Sequence, residues 1–168
     1  MDPEFTFAAW RRLKWSVLSP TIFLARYHEC TSDEYFMTHG RVQQLDVVLT
    51  DGLHTHEQSN KDVMNSLERL SANGYILMHD CNPPNAVAAI SLSDLPNVTT
   101  FKTDEADVPW CGDVWRTIVR IRRERSELDA FVLDCDYGVG VVVRTPQPIA
   151  GRAARVDVRD VTYSELQS

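Results

Sequence analysis

Residues 45–84 constrain the fold of this chain more than any other part of its sequence. The stretch begins with a short apolar run, Leu45–Thr50, which ends at an Asp-Gly pair and is typical of a buried strand. A second apolar run at residues 75–78 predicts a second buried strand. Between the two runs, apolar residues recur at helical spacing: Val63, Leu67 and Leu70. The stretch therefore predicts a strand, a helix and a second strand.

Both ends of the predicted helix have sequence signals. Thr55 is followed three residues later by Gln58, which resembles a capping box at a helix start. Asn73 and Gly74 tolerate the left-handed conformation that closes many helices, so they predict its end. A similar capping signal predicts a shorter helix over residues 32–39, capped by Ser32.

Titratable side chains follow both predicted strands. Asp51, His54 and His56 come after the first strand, and His79 and Asp80 come directly after the second. In an open parallel sheet, ligands bind outside the carboxyl ends of the strands. We therefore expect these five side chains to converge at one edge of one sheet and to form any functional site there.

Several motifs in this chain resemble those of a known enzyme family. In chain order they read TSDEYF from Thr31, DGLH from Asp51, HDCNPP from His79, WCGDVW from Trp110 and DCDYGVG from Asp134. Together they resemble class I S-adenosylmethionine-dependent methyltransferases, in a branch similar to methyltransferase type 24, from about residue 27 to residue 143. The resemblance implies an α/β fold with a Rossmann-like sheet.

The glycine-rich part of that family's pattern is missing. Such enzymes open with a strand and a glycine-rich turn that cradles the cofactor, yet all seven glycines of this chain lie at Gly40 or later. Close backbone approach to a ligand needs glycine. We therefore expect a truncated sheet that keeps strands four, five, seven and six of the family, with the last strand antiparallel. Cofactor binding by this chain alone is in doubt.

The resemblance also implies roles for individual residues. In sugar O-methyltransferases with a D-G-x-H loop, acidic residues after strands four and five hold a metal ion, and the loop histidine deprotonates the acceptor hydroxyl. Carried over here, Asp51, His79 and Asp80 are the metal ligands and His54 is the general base. Asp51 also belongs to the cofactor site that the resemblance implies, together with two further residues: Asp33 and Gly52.

The two carboxylates suit Mg²⁺ or Ca²⁺, because carboxylate oxygens are the ligands that these ions prefer. His79 departs from the family pattern, since it stands where an acidic residue is usual, and it either weakens the metal site or makes it softer. Structural explanations stay open beside these roles. Asp51 with Gly52 suits a simple turn, Asp80 suits a loop cap, and His54 suits a structural hydrogen bond.

Composition bounds the remaining function classes. The 168 residues carry a formal charge of −7, which argues against nucleic-acid binding, and the partner expected is a small-molecule substrate. No apolar run approaches the ~20 residues of a membrane span. The four cysteines include no C-x-x-C pair, which favours a reducing cytoplasm. Cys81 is expected to be a packed residue and not a nucleophile.

The chain divides by pattern into four segments. Residues 1–5 look like a vector junction, residues 6–30 are a divergent N-terminal segment, residues 31–145 form the methyltransferase-like core, and residues 146–168 are a tail. Residues 7–18 predict an amphipathic helix, and residues 21–27 suit a strand.

A truncated sheet leaves one strand without its usual neighbour. The predicted strand Leu45–Thr50 would then present an apolar edge, and uncovered edges pair with other chains. Either residues 21–27 fill the vacant position or two copies of the chain meet there, and we predict a homodimer. Two functions stay open: an O-methyltransferase for a sugar or small metabolite, and a degenerate, non-catalytic binding or oligomerisation module.

Overall fold

The computed structural model describes residues 27–95 and 110–146. The chain divides into two units, residues 1–30 and residues 31–168, and every element described below belongs to the second. The predicted helix at residues 7–18 and the segments 1–5 and 147–168 lie outside the described residues, as does nearly all of the predicted strand at 21–27.

Strands and helices alternate through most of the described chain. In order they are α1 (Ser32–Met37), a 3₁₀ turn (His39–Val42), β1 (Leu45–Thr50), α2 (His56–Arg69), β2 (Leu70–Met78), α3 (Trp115–Glu124), β3 (Leu128–Leu133) and β4 (Val139–Arg144). None of the described helices is long and apolar enough to cross a bilayer.

The four strands form one mixed sheet in the order β1-β2-β4-β3. β1 and β2 run parallel, whereas β4 runs antiparallel to both β2 and β3. This order is that of strands four, five, seven and six, with the last strand antiparallel. The sequence prediction of a truncated, Rossmann-like α/β sheet is therefore confirmed.

α2 and α3 cover one face of this sheet. Val63 and Leu67 of α2 and Ile118 of α3 pack with alternate residues of the strands, including Ile76 and Val142, in a single hydrophobic core. The side chains of the intervening strand positions point to the opposite face. Several large apolar side chains on that face remain exposed: Val47, Leu49, Tyr75, Phe131 and Leu133.

The C-terminal end of α2 differs from the sequence prediction. The helix ends at Arg69, β2 begins at once with Leu70, and neither Asn73 nor Gly74 has a positive φ. The pairing of β1 with β2 jumps from Leu45↔Leu70 to Val47↔Tyr75, so the extra residues of β2 form a wide bulge. A Cβ on Gly74 would lie 2.7 Å from the Leu70 side chain, and this close approach explains the glycine.

The helix caps also differ in detail from the prediction. α1 is capped by Thr31 and not by Ser32, in a reciprocal capping box with Glu34. At α2, the Thr55 hydroxyl accepts a 3.4 Å hydrogen bond from the Gln58 backbone N–H. The Gln58 side chain does not complete the box, because its amide donates to neighbouring side chains: Ser32, Asp33 and Asp62.

Asp113 supplies the stronger cap of α2 from a distant part of the chain. Its buried carboxylate accepts a 2.7 Å hydrogen bond from the backbone N–H of His56, the first residue of α2. Asp113 lies just before α3 in the sequence, but α3 itself has no side-chain cap. A carboxylate at a helix N-terminus also stabilises the helix dipole.

We expect Asp113→Ala to lower the free energy of unfolding by about 1–2 kcal/mol, since it removes a buried cap. Thr55→Ala removes only the longer hydrogen bond and should cost less. Urea unfolding of both variants, followed by circular dichroism, measures the difference. Equal losses in the two variants would contradict the assignment of Asp113 as the main cap.

Candidate functional site

The carboxyl ends of β1 and β2 meet because the two strands pair in parallel. Thr50, the last residue of β1, lies opposite Met78, the last residue of β2. The His79 N–H donates to the Thr50 carbonyl at 3.1 Å, which extends the pairing by one residue. The loops that start with Asp51 and His79 therefore leave the sheet side by side.

Four titratable side chains gather at this point, and we call them the carboxyl-end cluster: Asp51, His54, His79 and Asp80. His54 Nε2 lies 3.6 Å from Asp51 Oδ1 and 3.3 Å from Asp80 Oδ2. His79 Nδ1 lies 3.6 Å from Asp51 Oδ1 and 3.2 Å from Asp80 Oδ2. Both imidazoles thus face the same two carboxylates.

The spacing of the cluster suits a metal ion. The ligand atoms of Asp51, His54 and Asp80 all lie within 4.8 Å of one another. His79 contacts both carboxylates from the other strand end, although it is outside that set of three. The arrangement brings together the predicted metal ligands and the predicted base.

His54 is held by the loop that precedes α3. Its Nδ1 lies 3.0 Å from the Trp110 carbonyl oxygen, which can only accept, so Nδ1 carries the proton and Nε2 faces the carboxylates. The Trp110 ring lies 5.6 Å from the imidazole, with an interplanar angle of 31°. Gly112, at φ +68°, approaches the His54 backbone so closely that a Cβ there would overlap the His54 carbonyl.

Asp80 combines burial with an unusual backbone conformation. Its side chain is only 5% exposed, and its φ of +61° lies in the left-handed region that few residues other than glycine adopt. Backbone outliers of this kind persist where the surrounding structure holds them, and they are frequent at functional sites. Here the conformation turns the carboxylate back toward His54 and His79.

The contacts within the cluster shift the pKa values of Asp51 and of the two imidazoles. A hydrogen bond with Asp51, assisted by the charge of Asp80, raises the pKa of His54 despite its burial. The pKa of Asp51 is lowered, chiefly by that same hydrogen bond. Burial acts to lower the pKa of His79, but the Asp80 charge and hydrogen bonds to Asp136 and Asp80 outweigh it and raise the pKa overall.

His56 does not join the cluster, which corrects the sequence prediction. Its side chain is buried on α2, and its Nδ1 lies 3.1 Å from the Thr117 hydroxyl of α3. Burial lowers the pKa of His56. The sequence places His56 at the start of a helix. Its contact with Thr117 of α3 could not be predicted, because Thr117 lies far along the chain.

Two of the three residues predicted for the cofactor site are also found outside the cluster contacts. Asp33 accepts a hydrogen bond from Gln58 at 3.3 Å and pairs with Lys61 at 3.6 Å, both on α2. Gly52 is exposed, and a Cβ there would meet no atom within 4 Å, so nothing approaches its backbone closely. Only Asp51 takes part in the cluster.

Cys81 is a packed residue, as the sequence predicted. It is fully buried in the core beside Met78, and burial raises the pKa of its thiol to about 12. A thiol that stays protonated is a poor nucleophile. No disulfide joins the four cysteines, all of which are among the described residues.

Sequence reasoning did not foresee the partners that orient the two cluster imidazoles. Trp110 and Asp136 were recognised only as members of family-like motifs. Both contacts cross more than fifty positions of sequence. The motifs themselves were the signal in the sequence that pointed to these residues.

We expect His54, His56 and His79 to titrate in two groups. His54 and His79 should titrate above their ordinary pKa of about 6.5 and His56 below it. The stability from His54 and His79 is therefore complete below pH ~6.5 and is lost as the pH rises through their folded pKa values. For His56 the sign is opposite, because stability is lost as the pH falls.

Proton NMR titration of the metal-free protein, assigned with His→Gln variants, measures the three pKa values. A His56 pKa above that of His54 would contradict the prediction.

The first half of the chain is similar to a known family of protein domains. Residues 5–81 match the family model of a methyltransferase domain. That match includes β1, α2 and β2 and ends within the loop that carries His79 and Asp80, whereas the motifs at Trp110 and Asp134 lie beyond it. No curated protein sequence matches the chain significantly.

One of the solved structures similar to this chain is the crystal structure of the SAH-bound methyltransferase PaMTH1 of Podospora anserina. The two sequences are 17% identical. The similarity covers 66% of this chain and 46% of the other, with a TM-score of 0.44. The chain therefore spans less than half the length of that protein.

Proposed function

We propose that this chain, whose residues 5–81 match the family model of a methyltransferase domain, is a class I S-adenosylmethionine-dependent methyltransferase that acts in O-methyl transfer to a hydroxyl of a sugar or small metabolite. In this proposal the carboxyl-end cluster binds a divalent cation and activates the acceptor hydroxyl. The observation that carries the proposal is the convergence of Asp51, His54 and Asp80 at the ends of two parallel strands.

The donor set fits a divalent cation. Asp51 and Asp80 offer two carboxylate oxygens, and His79 turns Nδ1 toward both of them. The ligand oxygens of Asp51 and Asp80 lie within 4.8 Å of each other, close enough for one cation to reach both. A bound cation would act as a Lewis acid and make a ligated hydroxyl more acidic.

His54 is the general base in this proposal. Its Nδ1 proton is committed to the Trp110 carbonyl, so Nε2 is the atom that can accept a proton from the acceptor. The imidazolium formed would face Asp51 and Asp80, whose charges stabilise it. This is the geometry expected of a base that is oriented by a third group.

The residues described here do not fit the methyl donor. Asp33 is engaged by Lys61, Gly52 has open space around it, and no glycine precedes Gly40 in the sequence. A pocket for S-adenosylmethionine would need a glycine-rich turn that the described residues do not supply.

We expect isothermal titration to show one divalent cation per chain, with Mg²⁺ and Mn²⁺ as the probes. Asp51→Asn and Asp80→Asn should each weaken binding at least tenfold, about 1.4 kcal/mol. Asparagine tolerates the left-handed backbone at position 80, so this substitution tests the charge and not the fold. His54→Asn should leave affinity within a few fold, and a large loss would reassign His54 from base to ligand.

The same experiment with S-adenosylhomocysteine tests the cofactor argument. We expect no heat from this chain alone at millimolar ligand, with or without the cation. Micromolar binding at one site per chain would contradict that expectation and would show that the pocket is rebuilt.

The second candidate function is a non-catalytic module that keeps the family core. The same missing glycine turn favours it, and so does the engagement of Asp33 by α2. The cation separates the two candidates. A degenerate module has no reason to bind one at the cluster, whereas hydroxyl activation by this route requires it.

We also propose that the chain forms a homodimer through β1. This strand is at the edge of the sheet, and its apolar side chains Val47 and Leu49 are 60% and 41% exposed. Edge strands that expose apolar side chains readily pair with other chains.

Val47→Lys should convert the dimer to a monomer, because a lysine on an edge strand opposes strand pairing. Val42→Lys is the matched control, since Val42 is 96% exposed but lies in the 3₁₀ turn before β1. Light scattering after size exclusion measures both. A monomeric wild type, or equal dissociation of both variants, would contradict the proposal.

A further inference from the structure

The hairpin between β3 and β4 is fastened to the loop that carries the cluster. The backbone N–H groups of Cys81 and Asn82 donate to the carbonyls of Gly138 and Tyr137 at 2.8 and 2.7 Å. A Cβ on Gly138 would overlap the Asn82 backbone, and Gly138 has φ +87°. The two loops are therefore held in direct contact, next to His79 and Asp80.

Asp136 sits at the tip of this hairpin and contacts the cluster through His79. Its Oδ2 lies 3.2 Å from His79 Nε2. A carboxylate can only accept, so this contact is a hydrogen bond when Nε2 carries the proton, and Asp136 therefore favours the Nε2–H form of the neutral ring, whereas Asp80 favours the Nδ1–H form. In the Nε2–H form, the unprotonated Nδ1 is presented to Asp51 and Asp80, at 3.6 and 3.2 Å.

The backbone at Asp136 shows that this contact is built into the hairpin. Asp136 and Tyr137 both have left-handed conformations, with φ of +47° and +59°. These conformations turn the chain so that Asp136 faces the β2 end. The carboxylate is 73% exposed, so its hydrogen bond adds little to folding stability, and its main effect is on the orientation of the imidazole.

We infer that Asp136 is a positioning residue that fixes the ring of His79, and that His79 Nδ1 is thereby a nitrogen ligand which adapts the cluster to transition-metal cations. The inference rests on the proposed cation site and specifies the class of cation. Metal-bound histidines commonly donate their second N–H to a carboxylate, and this partner strengthens the ligand. A carboxylate set with an imidazole favours Mn²⁺, Co²⁺ or Zn²⁺ over Mg²⁺ and Ca²⁺.

Asp136→Gly tests the positioning role with little backbone strain, because glycine adopts the left-handed conformation freely. Asp134→Gly is the matched control in the same hairpin, since Asp134 contacts Asn82 and not His79. Asp136→Asn is the conservative variant, which keeps an acceptor oxygen. His79→Gln removes the imidazole itself.

The first readout is the tautomer of His79 in the metal-free protein, from long-range ¹H–¹⁵N correlation at a pH where the imidazole is neutral. We expect a larger share of the Nε2–H form in the wild type and in Asp134→Gly than in Asp136→Gly, where the remaining carboxylates, Asp51 and Asp80, favour Nδ1–H. Asp136→Asn should restore most of that share. An unchanged tautomer in Asp136→Gly would overturn the positioning role.

The second readout is cation affinity by isothermal titration with Zn²⁺, Mn²⁺ and Mg²⁺. We expect the wild type to bind Zn²⁺ or Mn²⁺ at least tenfold more tightly than Mg²⁺. Asp136→Gly should lose about 10–100-fold in Zn²⁺ affinity, with little change for Mg²⁺, and His79→Gln should abolish the preference. Asp134→Gly should match the wild type.

The outcomes separate this inference from the proposed function. Cation binding that depends on Asp51 and Asp80 but is indifferent to Asp136 and His79 would overturn the inference and leave the proposed function standing. Failure of the wild type to bind any of the three cations would overturn both.

Discussion

The parallel pairing of β1 with β2 is the interaction on which the site depends. Because Thr50 lies opposite Met78, two loops that are separated by a whole helix begin at the same height on the sheet. Asp51 and His79, with which the two loops begin, are therefore brought close together by the strand pairing itself. A one-residue slip of this register would turn β1's core-facing side chains to the opposite face, so packing of Val48 against the core also fixes the position of Asp51.

The sequence predicted the features that depend on local pattern and on strand polarity. The strand order, the antiparallel last strand and the meeting of Asp51 with His54 and Asp80 all follow from apolar periodicity and from the family-like motifs. The predictions that failed concerned contacts with partners far along the chain. Asn73 and Gly74 have the composition of a helix end, but pairing with β1 draws them into a bulged strand. His56 has the position of an exposed first-turn residue, but Thr117 and Asp113 bury it.

The loop before α3 contributes to two structures at once. Trp110 orients His54 through its carbonyl, and Asp113, three residues later, caps the helix that follows His54. Gly112 between them has a left-handed backbone and touches the His54 backbone. The position of His54 and the start of α2 are therefore set by the same short segment. A substitution in this segment is expected to change both the orientation of His54 and the stability of α2.

The cluster lies at the border of the described sheet and not at its centre, since β1 is the outermost strand on that side. A strand added along β1 would stand directly beside Asp51 and become a wall of the site. Pairing of another strand with β1 would therefore also change the access of molecules to the cluster. Whatever chain pairs there would determine the shape of the molecule that can reach the carboxylates.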